Sequence, residues 1–351
     1  MPDLTMDIFN GDAFSNVTMT NYVNTNVPFQ PSFLGSLGMF NAEGVYSTQV
    51  AFDDEDGALT LISATERGGP AEQSQNTKGT LRVLSTVRLA REAVIKADEV
   101  AGVRVLGTAG QLQTAERLVY KRVEGPVGLR AALEYTKEYH RLGAIDGIVY
   151  DANGTKVLWD YFVHYGVARP AAVNFAFSSY TGEDRAFGKA CTALRRLATK
   201  ALNGFPLTAA MPIALCGDGF YDDAWSNKET AKAAQVAATG NLQAPELISR
   251  NEAFDSFKYG GIVWVNYRGS DDGKVAIPTD EARFFYAGVP GLFNEYNAPA
   301  DTWDFVNTEG LPVYMLQRPE NQTSSRRTFE VQANPLQLCL RPLHMRRLTK
   351  S

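Results

Sequence analysis

The first 77 of this chain's 351 residues lack the means to fold alone. They carry ten carboxylates (Asp3, Asp7, Asp12, Glu43, Asp53, Asp54, Glu55, Asp56, Glu66 and Glu72) and a single cation, Arg67. That is a charge of −9 within a chain of net charge −5, so the other 274 residues hold +4. Residues 1–44 are rich in Asn, Thr, Pro and Gly. Their apolar anchors, Phe29, Phe33, Leu34 and Phe40, keep no period of 2 or 3.6. Such a segment buries too little apolar area to offset its own ordering entropy. It is expected to be an irregular arm draped on another surface. Its charge reads either as a solvated acidic end or as a match for the more basic face of a neighbouring copy, where complementarity sets register and encounter rate more than affinity.

Residues 45–64 extend that logic. Val50 and Phe52 alternate on one side of an acidic loop, and Leu59 and Leu61 on the other, which predicts a hairpin with Asp53, Asp54, Glu55 and Asp56 at its tip. A two-stranded hairpin is marginal in water, so this one is expected to lean on a further surface.

The remainder mixes helix and strand signals without strict alternation, which places the chain in the α+β class. Residues 66–80 read as a loop and 93–100 as a short helix. Residues 111–142 read as a helix in two pieces, broken at Gly125-Pro126 and ended by Gly143. Arg130, Glu134, Lys137, Glu138 and Arg141 alternate there with Ala131, Leu133, Tyr135 and Leu142, and His140 is placed on the charged face, exposed. Asn153-Gly154 predicts a type I′ hairpin over 147–163. Phe187, Cys191, Leu194, Ala198 and Ala201 mark the clearest helix, 184–202. Ser226 with Glu229 reads as the capping box of another that runs to Gly240. Residues 261–267 and 282–287 read as neighbouring strands, with 269–273 as turn material. Residues 328–343 read as extended.

Motifs that would carry chemistry fail on inspection. The sequence Asp54-Glu55-Asp56-Gly57 lacks the calcium-loop acids, since positions 52 and 63 hold Phe52 and Ser63. Gly217-Asp218-Gly219 after Ile213-Ala214-Leu215 starts a dinucleotide fingerprint, but Asp222 stands at the third glycine and no clean helix is expected there. His140, His164 and His344 have no partner at metal-ligand spacing. Cys191, Cys216 and Cys339 are few, odd in number and far apart, which fits reduced thiols. No phosphate loop or nucleophile elbow occurs. The sequons at Asn16 and Asn321 are incidental, and Arg341, Arg346, Arg347 and Lys350 read as a solvated basic end. No apolar run of about 18 residues implies a membrane span, and residues 1–10 have no signal-peptide character. No catalytic residue, cofactor or metal is expected.

Several scattered stations have a recognisable order. They are Arg67-Gly68-Gly69-Pro70, Ala97-Asp98-Glu99, Val103-Arg104, Tyr286, Gly288, Gly291-Leu292-Phe293, Thr302-Trp303, Arg327-Thr328-Phe329-Glu330, Gln332, Pro335-Leu336-Gln337-Leu338 and Pro342. Together they resemble the lambda-type (E family) major capsid proteins of tailed phages. The resemblance implies the Hong Kong 97 type capsid fold, with an N-terminal arm over 1–44 and an extended E-loop over 45–82. A peripheral domain with a spine helix would follow over 83–170, an axial domain over 171–305, and a return to the peripheral domain over 306–351. Hinge freedom between lobes would lie near 166–170 and 298–304.

By the same resemblance the chain is expected to form hexamers and pentamers of an icosahedral shell around phage double-stranded DNA. The tip residues Asp53, Asp54, Glu55 and Asp56 and the arm residues Phe29, Phe33 and Phe40 would contact other subunits. Implied partners are further copies of itself, a portal, a separate scaffold protein, a decoration protein, and packaged DNA through non-specific contact. Assembly is expected in the host cytoplasm and residence in the virion capsid, with no membrane contact. No lysine precedes Lys78, so the covalent cross-linking of some relatives is not expected from this acidic tip. The rival readings are an encapsulin-like nanocompartment shell, a soluble α/β enzyme and a phage tail-tube subunit.

Overall fold

The computed structural model describes residues 14–25, 33–54, 80–100, 115–123, 128–180, 184–202, 205–238, 255–267, 269–270, 273–318 and 326–350. In chain order the elements are α1 (Asn16–Thr25), α2 (Phe33–Ser36), β1 (Asn41–Gly44), β2 (Gln49–Asp54), β3 (Thr80–Ser85), β4 (Leu89–Lys96), α3 (Ala97–Val100), α4 (Ala115–Val123) and α5 (Leu129–Asp146). There follow β5 (Ile148–Tyr150), β6 (Val157–Asp160), α6 (Tyr161–Tyr165), β7 (Val173–Asn174), α7 (Ala186–Ala201), β8 (Met211–Cys216), α8 (Asp218–Trp225) and α9 (Lys228–Ala238). The chain closes with β9 (Ser256–Tyr259), β10 (Ile262–Asn266), β11 (Glu281–Ala287), β12 (Phe293–Asn297), β13 (Tyr314–Arg318), β14 (Arg326–Ala333), β15 (Pro335–Cys339) and β16 (Arg346–Thr349). Contacts divide these into two units.

The first unit draws on residues 1–51, 83–138 and 294–338. Its centre is the antiparallel sheet β13-β14-β4. Strand β4 pairs with β14 over eight residues, from Leu89 opposite Ala333 to Lys96 opposite Arg326. A short helix was expected over 93–100, but 93–96 read Ala-Val-Ile-Lys, and β-branched Val94 and Ile95 suit a strand. The eight-rung ladder claims them, and helix α3 is left only the four residues after it. The core gathers Phe14, Met19 and Val23 with Ile95, Val119, Leu133, Met315, Phe329 and Val331. A second small sheet has the order β1-β12-β15, with β1 parallel to β12.

Part of the predicted irregular arm is therefore a helix folded on its own unit. Asn16, Thr20 and Asn24 lie four residues apart on α1 and bond to the backbone of the edge strand β13 or the residue before it. Gln317 N–H donates to Asn16 Oδ1 at 2.9 Å, Met315 N–H to Thr20 Oγ1 at 3.1 Å, and Asn24 Nδ2 donates to Val313 O at 2.8 Å. Four helical residues advance about 6 Å and two strand residues about 6.6 Å, so the two repeats keep step. The helix covers an edge that would otherwise be open to pairing.

The second unit draws on residues 52–82, 139–293 and 339–351. Its sheet has six strands in the order β7-β16-β11-β8-β10-β9. Strands β8 and β10 are parallel, as are β16 and β7, and the other neighbours are antiparallel. Strands β10 and β11 are not adjacent as expected, because β8 lies between them. An aromatic cluster packs beside β10: Phe175, Phe187 and Phe220 each have ring centroids within about 6 Å of Trp264, and such pairs add about 0.5–1.5 kcal/mol each beyond buried area.

Three local expectations need correction. Gly143 lies inside α5, which ends instead at Asp146, just before Gly147 with φ 88°. The hairpin expected over 147–163 exists only over Ile148–Asp160, because α6 takes 161–163, and its turn is not type I′. Gly154 alone has positive φ, and Asp151 N–H bonds Lys156 O across a six-residue loop. Strand β2 pairs with β3, not with residues 59–61, and residues 55–79 lie outside those described.

Candidate functional site

The chemistry-bearing side chains are locked into structure. Burial pushes the Cys191 and Cys216 thiols far up, and Cys339 up to about 12, which removes thiolate character near neutral pH. His344 is fully buried. Its Nδ1 bonds Arg341 O, and burial holds its pKa down at about 4 despite that bond, with Arg346 lowering it further. His140, expected to be exposed, has no solvent exposure and lies edge-on to Trp159. Among the described residues no group of three or more His, Cys, Asp and Glu could hold a metal ion. No described helix is long and apolar enough to cross a membrane.

The glycine pair after β8 does open a helix, α8, contrary to expectation. It is no phosphate cradle. A Cβ on Gly217 would lie 2.2 Å from Pro278 O, so backbone already fills that approach. The second unit also has a narrow recess where Asp146 takes Arg283 at 2.5 Å and Arg169 at 2.7 Å, and Glu281 takes Arg283 at 2.8 Å and Arg347. Burial alone would raise the Glu281 pKa; the two guanidiniums outweigh it and hold the carboxyl below its usual range. These charges satisfy one another.

Surface side chains offer more. Trp303 is 92% exposed, and Val306 beside it is half exposed. Their turn is fixed from beneath. Phe305 is buried against Tyr314 with ring centroids 4.8 Å apart, and Asn16 Nδ2 donates to Asp304 Oδ2 at 2.5 Å. A tryptophan held rigidly in water is the kind of side chain that subunit interfaces enrich. Its exposure was not foreseen; a Trp set among Asp301, Thr302, Asp304 and Asn307 is the signal that could have found it. In the second unit Leu81 on β3 and Val163 on α6 are also exposed.

Among the predicted contact residues, Phe29, Glu55 and Asp56 lie outside the described residues. Asp53 and Asp54 end strand β2. Phe33 and Phe40 are half-buried, and α2, which begins at Phe33, is tied down by Glu138. Its carboxylate accepts from Leu34 N–H at 2.8 Å and Gly35 N–H at 3.3 Å. At the root of the hairpin, within the second unit, Arg82 lies over the Tyr165 ring and donates to His164 O and Tyr165 O.

A family model described as "Phage major capsid protein E" matches residues 15–350. The chain belongs to that family. The major capsid protein of Pseudomonas phage KPP10 is 22% identical over 295 residues, 80% of this chain and 82% of that one. The major capsid protein of Salmonella phage Felix O1 is 22% identical over 345 residues, 90% of this chain and 91% of that one. Among solved structures, a putative capsid protein of an E. coli CFT073 prophage superposes with TM-score 0.58 at 13% identity, covering 96% of this chain and 99% of that one. The capsid of phage PhiM1 gives TM-score 0.50 at 11% identity over 99% of this chain and 93% of that one. The fold is the α+β Hong Kong 97 type capsid fold, as the resemblance implied, and the protein is a major capsid protein of a phage head.

Proposed function

We propose that the chain assembles as hexamers and pentamers into an icosahedral shell that encloses double-stranded DNA, and that its role is structural and not catalytic. The observation that carries this is the family match across residues 15–350. The buried, high-pKa thiols and the self-satisfied charge networks support it. So do the exposed apolar side chains, Trp303 in the first unit and Leu81 and Val163 in the second, which suit a subunit that completes its burial against other copies. In this reading the hairpin tip over 53–56 and the arm phenylalanines touch neighbouring subunits, and residues 45–82 form the extended loop. Portal, scaffold and decoration proteins are its proposed head partners. Host cytoplasm is the proposed site of assembly.

The experiment is electron microscopy and sedimentation of the purified protein, expressed with and without its neighbouring head genes. Closed shells or capsomers are expected. A compact monomer that never closes into particles, even beside those gene products, would overturn the reading.

A further inference from the structure

Helix α7 shows solvent one continuous stripe: Lys189, Ala193, Arg196, Leu197 and Lys200. These positions recur at helical spacing along one face. The helix contains no acidic residue, and Leu197 is 51% exposed amid the cations. Helix α8 shows the opposite stripe, Asp218, Asp222 and Trp225, with Trp225 43% exposed. Among the described residues none of these five charged side chains has an ion-pair partner; Asp223, by contrast, is held by Lys350 at 2.9 Å.

The two helices attach at opposite ends of the six-stranded sheet. Helix α7 packs at the β9–β10 turn, where Cys191 lies against Gly260, and at the end of β11, where Thr199 bonds the Tyr286 hydroxyl at 2.9 Å. Tyr286 sits opposite Pro212, near the start of β8. Helix α8 leaves the far end of β8, and Phe220 N–H bonds Thr279 O at 2.9 Å just before β11. The unit thus shows a basic stripe with an exposed leucine on α7 and an acidic stripe with an exposed tryptophan on α8. Matching, non-identical patches on one chain are what a head-to-tail contact needs, the kind that closes rings.

We propose that the α7 stripe of one copy docks on the α8 stripe of the next copy in the capsomer. Lys189, Arg196 and Lys200 then face Asp218 and Asp222, and Leu197 and Trp225 become covered. The inference rests on the shell reading above and adds which surfaces meet. Rim charges of this kind set encounter rate and register, so the contact weakens as salt screens it.

The test is charge exchange in the full chain, read as particle yield by sedimentation and electron microscopy. Arg196→Glu/Lys200→Glu and Asp218→Lys/Asp222→Lys should each lower yield by about tenfold, the effect of roughly one lost pair of contacts. The two changes combined should restore most of it. Failure of wild-type protein to form particles would sink the shell reading and this inference together. Normal assembly of wild type and of both reversals would sink only the inference. So would a combined variant no better than either parent, or an α7 reversal that lowers DNA content and leaves shell yield intact. Should a reversal misfold by circular dichroism, Leu197→Cys/Trp225→Cys replaces it. A short bismaleimide should then give a ladder of linked subunits, with no ladder from either single variant; absence of the ladder in assembled particles overturns the contact.

Discussion

Helices α5 and α7 both carry several charged side chains and use them in opposite ways. On α7 the cations face water and the apolar stripe faces the sheet. On α5, Arg130, Glu134, Lys137, Glu138 and Arg141 are all buried. Three of these have partners distant in sequence. Lys137 Nζ reaches Pro312 O at 3.0 Å and Glu295 at 3.3 Å, Glu138 takes the backbone of α2, and Arg130 donates to Val23 O. A charged face therefore announces a helix but not its exposure. What decides is whether other segments bring partners, since burying an unpartnered charge costs several kcal/mol.

The contrast is broken most directly at Lys137. Lys137→Met takes one cation from Glu295, which is 5% exposed. Removing one partner of a buried pair costs about 3–5 kcal/mol, so the unassembled subunit should lose that much in urea unfolding. Lys137→Met/Glu295→Leu should recover most of the loss. A cost below about 1 kcal/mol for the single change would mean that this helix face is as wet as that of α7.

His344 extends the contrast to pH. Its folded pKa of about 4 lies below the ordinary 6.5. A depressed folded value means that the neutral ring is favoured by the fold. Its stabilising contribution is whole above pH 6.5 and is lost as pH falls from 6.5 towards 4. With about 1.4 kcal/mol per unit, the loss approaches about 3 kcal/mol. His344→Gln should flatten the stability profile across that window.

How much of this was legible depended on whether the deciding partner was near in sequence. Helix α7 was readable because Phe187, Cys191, Leu194 and Ala198 announce their own face, and the observed span falls within the expected one. The strands of the second sheet were legible as strands, but their order was not, since nothing local shows that β8 separates β10 from β11. Helix α1 escaped notice because its face is polar. Asn16, Thr20 and Asn24 only make sense once β13, some 290 residues later, is beside them. Surface exposure fared likewise. Acidic loop composition drew attention to 53–56, whereas Trp303 is exposed because of a buried Phe305 that no period reveals.

Glu229 and Glu138 sharpen the comparison at smaller scale. Ser226 and Glu229 were expected to cap α9 together. Instead Ser226 Oγ donates to Asp222 O, and the Asn227 side chain takes the Glu229 N–H at 3.0 Å. That frees the Glu229 carboxylate for α7, where Phe187 N–H and Gly188 N–H donate to it at 3.1 Å each. It does what the αL residue Arg185, with no side-chain cap bond of its own, does not. Glu229→Ala and Glu138→Ala should each cost about 1–2 kcal/mol, the scale of a lost cap. Hydrogen exchange separates them: the first should speed exchange in the first turn of α7, the second in α2. Equal acceleration everywhere would mean that neither carboxylate acts locally.

The smallest effect on subunit stability is expected on the stripe of α7 itself. Arg196→Ala and Lys200→Ala remove cations that touch no acid within the described chain, and surface changes of that sort stay within about 0.5 kcal/mol. Self-repulsion along an all-basic face should even ease slightly, as like charges four apart on a helix cost a few tenths of a kcal/mol. An unfolding midpoint that holds steady or rises a little, measured with assembly suppressed, would place these side chains outside the fold's own stabilisation. Their cations would then be retained for a surface beyond the subunit. A clear fall in the midpoint would instead make the stripe part of the fold, as on α5.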